Sequence, residues 1–107
     1  MQRLLFICSR NRLRSPTAEQ VFAGRPGIET ASAGLAPDAD DPLRPDHLDG
    51  VDLVFVMERV HQTRLSRQFG PYLRGKKIVC LNIPDNYRYM QPELVRLLEQ
   101  RVTPHLR

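Results

Sequence analysis

With 107 residues, 41% hydrophobic and 26% charged, the chain has material for one globular domain, residues 1–107, and little room for a second. Sixteen basic against twelve acidic side chains give a net charge of +4 and a pI near 9.6, so anionic partners fit, while charge alone does not choose among phosphate, nucleic acid and an acidic surface. Two cysteines exclude a disulfide scaffold and a four-cysteine zinc site. No apolar run near the start reaches the length of a signal-peptide core or a membrane span, which predicts a soluble cytoplasmic protein with reduced thiols and no membrane partner.

Leu4–Cys8 is a short unbroken apolar run, the pattern of a strand buried on both faces. Its sequel, Cys8-Ser9-Arg10-Asn11-Arg12-Leu13-Arg14-Ser15-Pro16, leads into a helix: Ser15 offers an N-cap, Pro16 the first helical position, and Ala18, Val21 and Phe22 an apolar face. Ile28–Ala33 is a weaker strand candidate. Ala36–Asp46, rich in Pro and Asp, reads as a long surface connection leading into one helical turn. Val51–Met57 and Lys77–Leu81 are β-branched and aromatic enough for strands. Between them Glu58–Phe69 predicts a surface helix with Val60, Leu65 and Phe69 apolar and Gly70-Pro71 as the stop. Pro92–Val102 is amphipathic through Leu94, Leu97, Leu98 and Val102 and closes the domain. Alternating strands and helices imply an α/β three-layer sandwich, a four-stranded parallel sheet flanked by helices, with the ligand loop after strand 1.

That first loop carries the chemistry. A Cys at a strand end, five residues, then Arg and Ser at a helix N-terminus let successive backbone N–H groups curl around one tetrahedral anion, with the helix dipole favouring negative charge. Arg14 can hold two of its oxygens. The same field, with Arg10 and Arg12, favours a Cys8 thiolate placed as nucleophile. Neither G-x-x-x-x-G-K-[ST] nor G-x-G-x-x-G occurs, so nucleotide readings lose support. His47, His61 and His105 show no metal-ligand spacing and read as surface residues; neither a metal nor another cofactor is called for. Cys80, inside Ile78–Leu81, reads as a buried strand residue.

The segment from Cys8 to Glu19 resembles the N-terminal signature of the low-molecular-weight protein tyrosine phosphatases. Thr30-Ala31-Ser32-Ala33-Gly34, Asp52–Met57 and Ile83-Pro84-Asp85-Asn86-Tyr87 are similar to the family's second strand, third strand and late acid loop. The resemblance implies a phosphomonoesterase working through a phosphocysteine intermediate. Cys8 would be the nucleophile and Arg14 the clamp on the equatorial oxygens, within a phosphate loop of Ser9, Arg10, Asn11, Arg12, Leu13 and Ser15. Ser15 would stabilise the thiolate, and Asn11, helped by Ser32, would hold the loop in shape. Asp85 would protonate the leaving phenolate and then activate water, and Tyr87 would wall the pocket for an aryl group. The implied substrate is a phosphotyrosine-containing protein or a small aryl phosphate, with inorganic phosphate as product.

Departures from the family pattern carry expectations of their own. Arg10 stands where the family commonly has Gly, which implies strain if the loop needs positive φ there. Leu13 replaces a Cys of some members, Asn86 replaces a Pro, and the chain is shorter than typical, so part of the pocket rim would be missing. Two rival functions remain. A thiol-dependent arsenate reductase would need further thiols near Cys8, and Cys80 is the only other one. A catalytically silent phosphate- or phosphoprotein-binding module would use the same loop or the surface around Arg59, Arg64 and Arg67. Nucleic acid is disfavoured, since the seven aromatics form no basic stripe.

Overall fold

The structure, a computed structural model, describes residues 1–106. Four strands, β1 (Gln2–Cys8), β2 (Ile28–Gly34), β3 (Leu53–Val56) and β4 (Lys77–Cys80), form one sheet in the order β2-β1-β3-β4, and every neighbouring pair is parallel. The two unbroken apolar runs of the sequence occupy the centre. Only Arg3 is exposed along β1, and β3 is buried throughout, because parallel strands covered on both faces need apolar side chains on both. The edge strands β2 and β4 are partly exposed, which is why Ile28–Ala33, with its interleaved Thr30 and Ser32, looked weak as a sequence pattern. β2 also runs one residue further than expected, to Gly34.

Three helices lie between the strands, α1 (Arg14–Phe22), α2 (Pro45–Leu48) and α3 (Arg59–Phe69), and α4 (Pro92–Val102) follows β4. Alternate residues of the central strands enter two separate cores. Leu4, Phe6, Cys8 and Phe55 pack with α1 and α4 through Phe22, Leu94, Leu98 and Val102. Leu5, Ile7, Val54 and Val56 pack on the other face with Leu48 of α2 and Leu65 of α3. Phe6 is stacked between Phe22 and Phe55, at ring centroid distances of 5.9 and 5.2 Å. The result is the three-layer α/β sandwich, and it brings the carboxyl ends of β1 and β3 side by side at one edge of the sheet.

Two expectations need correction here. Val60 is exposed, and the buried positions of α3 are His61 and Leu65. Cys80 lies on the edge strand and is only partly buried; it packs on the face opposite Cys8, and both thiols are free. No helix of the described residues is long and apolar enough to cross a membrane.

Candidate active site

Cys8 ends β1, and α1 begins six residues later, so the intervening loop must reverse the chain directly above the central strand. The sharpest bend is taken by Asn11, at φ 58°. Asn tolerates this left-handed conformation better than most side chains. Arg10 does not adopt positive φ, so the strain expected at that position does not arise. The loop carbonyls are engaged on its outer side by the connection that follows β2: Leu35 N–H donates to Cys8 O, Ala36 N–H to Ser9 O and Asp40 N–H to Arg10 O, at 3.0, 2.8 and 3.0 Å. With those carbonyls occupied, the amides of Arg10, Arg12 and Leu13 have no acceptor among the described residues. Unpaired loop amides of this kind are what an anion nest presents.

The close approach of the two segments depends on Gly34. A Cβ at that position would stand 2.6 Å from the Ser9 carbonyl oxygen and 2.6 Å from the Ala39 Cβ, so no side chain fits.

The Cys8 sulfur has two neighbours that are joined to each other. Asn11 N–H donates to Cys8 Sγ at 3.2 Å, Ser15 Oγ lies 3.0 Å from the same sulfur, and the Ser15 hydroxyl also reaches Asn11 Oδ1 at 2.8 Å. Ser15 has one hydrogen and two places to send it. With a neutral thiol, Cys8 donates to Ser15 and Ser15 to Asn11; with a thiolate, the hydroxyl turns to sulfur and joins the Asn11 amide as a second donor. Ser15 is therefore inside α1 and committed to this network, not an N-cap; α1 starts at Arg14 after Leu13, with no side-chain cap.

Arg14 is a buried charge with fixed partners. Its side chain is 3% exposed, and its Nη1 donates to Glu58 Oε2 and to the Ile83 carbonyl, each at 2.7 Å. Both hydrogens of Nη1 are thus used, which leaves the Nε and Nη2 edge, the geometry that grips two oxygens of one phosphoryl group. Asp85 stands 3.6 Å from that Nε, largely exposed. Cys8, Ser9, Arg10, Arg12, Leu13, Arg14 and Asp85 together line one cleft of about 440 Å³. Arg10 and Arg12 form its outer rim and face Asp38 and Asp40 at 3.9 and 3.1 Å, weak exposed pairs.

Two assigned roles differ from the expectation. Ser32 donates to the Glu19 carboxylate and not to Asn11, so it ties β2 to α1 and leaves the loop to Ser15. Tyr87 packs, partly buried, against the core and does not line the cleft; among the described residues the apolar side chain on the cleft wall is Leu13, which is 38% exposed.

The histidines also differ. His47 accepts from Arg44 N–H and contacts Asp41, and His105 sits edge-on to Phe55 at 6.0 Å. His61 is completely buried behind the loop. Its Nδ1 accepts from Glu58 N–H at 3.1 Å, and its Nε2 lies 2.9 Å from Ser9 Oγ. Burial first, and the Arg14 cation next, push it down from 6.5 to about 4. Glu58 and His61 were the functional positions hidden from sequence reading. A signal was present: His61, Leu65 and Phe69 recur at i, i+4 and i+8, the inward stripe of α3, with Phe69 partly buried.

No protein-family model and no curated protein matches the sequence. Solved structures do. The YwlE arginine phosphatase from Geobacillus stearothermophilus is 21% identical, with a TM-score of 0.77 over 98% of this chain and 92% of that one. Vibrio vulnificus Wzb, solved with benzylphosphonate, is 25% identical, with a TM-score of 0.77 over 97% and 96%. The low molecular weight protein tyrosine phosphatase from T. tengcongensis is 25% identical, with a TM-score of 0.77 over 99% and 100%.

Proposed function

From a chain with the fold of the low molecular weight protein tyrosine phosphatases, which are cysteine-dependent hydrolases, we propose a phosphomonoesterase that works through phosphocysteine on Cys8, with phosphotyrosine-containing proteins or small aryl phosphates as substrates. The observation that carries this reading is the convergence of Cys8, Arg14 and Asp85 on one cleft. The benzylphosphonate held by Vibrio vulnificus Wzb supports an aryl group. Two free cysteines are in keeping with a reducing, cytoplasmic setting.

In the first half-reaction the Cys8 thiolate attacks phosphorus and the bond to the aryl oxygen breaks. Loop amides and the free edge of Arg14 stabilise the equatorial oxygens, where charge develops. Asp85 gives its proton to the departing phenolate. Water then attacks the phosphocysteine, Asp85 takes the proton, the S–P bond breaks, and the thiolate and inorganic phosphate are released. Asp85 must carry its proton before the first step.

The test is hydrolysis of an aryl phosphate by the purified protein beside Cys8→Ser and Asp85→Asn variants. The parent is expected to turn over, Cys8→Ser to be inert, and Asp85→Asn to fall by about 10²–10⁴ in kcat. An inert parent whose melting temperature still rises with phosphate would make the chain a binding module instead. Arsenate-dependent consumption of a thiol would make it a reductase.

A further inference from the structure

His61 is a fully buried titratable group that the reaction just described does not use. Its two ring nitrogens have different, fixed partners. A backbone N–H can only donate, so the Glu58 amide at 3.1 Å requires Nδ1 to be the acceptor. The neutral ring then carries its hydrogen on Nε2, and that hydrogen points to Ser9 Oγ at 2.9 Å. Ser9 therefore accepts from His61, and its own hydroxyl hydrogen must go elsewhere. Among the described residues no group accepts it, and Ser9 lines the cleft.

We infer that His61 is a positioning residue that commits the Ser9 hydroxyl to donating into the anion cleft, adding a side-chain donor to the ring of loop amides that holds the phosphoryl group. The inference rests on the phosphate-loop reading of the cleft, but not on turnover. The downward push that burial and Arg14 exert on His61 agrees with it, since a neutral ring is needed for Nδ1 to accept. Glu58 gives the device a second connection: its amide fixes the tautomer of His61, while its carboxylate holds Arg14. One residue thereby orients donors on two sides of the same ligand.

The experiment measures binding of inorganic phosphate by calorimetry, which reads the loop whether or not the protein is an enzyme. An amide nitrogen in Gln stands close to the place of Nε2, and the amide of Asn close to that of Nδ1. His61→Gln therefore keeps a donor for Ser9 and loses the helix-start acceptor; His61→Asn keeps the acceptor and loses the donor. Ser9→Ala is expected to weaken phosphate binding about tenfold, His61→Asn to weaken it by a similar factor, and His61→Gln to bind nearly as the parent does. Adding His61→Asn to Ser9→Ala should cause no further loss, because the first acts through the second. Melting temperatures recorded in parallel report the helix-start role separately, with His61→Gln the more destabilised. Unchanged phosphate affinity in Ser9→Ala, additive losses in the double variant, or weaker binding by His61→Gln than by His61→Asn would each overturn the inference. Phosphate binding as inferred in a parent inert towards aryl phosphates would remove the enzyme and leave the positioning role standing.

Discussion

Arg14 and Glu58 meet at 2.7 Å across a sequence separation of 44 residues, with the guanidinium almost wholly buried. The same nitrogen of Arg14 also holds the Ile83 carbonyl, two residues before Asp85. One side chain thus links the loop after β1, the start of α3 and the segment that leads to Asp85. Its buried charge is compensated on the inner side, so the outer edge keeps a fixed direction.

Removing the charge of Glu58 while keeping its shape should therefore loosen the phosphate clamp without emptying the site. Glu58→Gln is expected to lower kcat/KM for an aryl phosphate by about 10- to 30-fold, corresponding to about 1.4–2 kcal/mol of lost transition-state stabilisation. Steady-state kinetics on a variant of unchanged circular dichroism checks this; an unaltered kcat/KM would mean that Arg14 is oriented by the Ile83 carbonyl alone.

At Gly34 the constraint is steric. Its hypothetical Cβ overlaps the Ser9 carbonyl oxygen, a backbone atom that cannot rotate away. Gly34→Ala should cost about 1–3 kcal/mol of folding stability and displace the loop enough to weaken phosphate binding. Urea denaturation and calorimetry read the two effects; wild-type values in both would show that the strand and loop can part at little cost.

Asn11 combines a left-handed backbone with an acceptor for Ser15. Two substitutions separate these contributions. Asn11→Gly keeps the backbone and loses the hydrogen bond, at a cost of about 1 kcal/mol. Asn11→Ala loses both, and about 1–2 kcal/mol more for a β-carbon in the left-handed region. Thermal unfolding should rank the parent above the Gly variant and the Gly variant above the Ala variant, and equal stability of the two variants would contradict the role of φ.

His61 makes stability depend on acid. In the unfolded chain it takes up a proton as the pH falls through 6.5, while in the folded chain it resists until about 4, with burial, Arg14 and Arg64 opposing the proton and Glu58 and Asp85 favouring it. The unfolded state thus binds more protons between these values, and stability falls as the pH is lowered across that window. Above 6.5 the contribution is complete; below about 4 it has gone. Its size is on the order of 3 kcal/mol. The stability gap between the parent and His61→Gln should narrow from pH 7 to pH 4.5 in urea titrations, and a constant gap would mean that the ring is not held neutral.

What the sequence determined by itself was whatever depends on local pattern. The unbroken runs at Leu4–Cys8 and in Val51–Met57 mark the strands at the sheet's centre, since only strands covered on both faces can be apolar throughout. The spacing from Cys8 to Arg14 marks the loop proposed to hold an anion, because a strand, a short loop and a helix start already bring its amides together. The tertiary structure decided the remainder through contacts between distant segments. His61 reads as a polar surface residue until α3 packs its buried stripe behind the loop, and Ser9, 52 residues away, becomes its partner. Glu58 is only the first residue of a surface helix in the sequence; its contact with Arg14 exists because the parallel order sets the end of β3 beside the end of β1. Tyr87 and Ser32 went the other way, Tyr87 set partly buried against the core and Ser32 tied to Glu19 of α1, by packing that no spacing records.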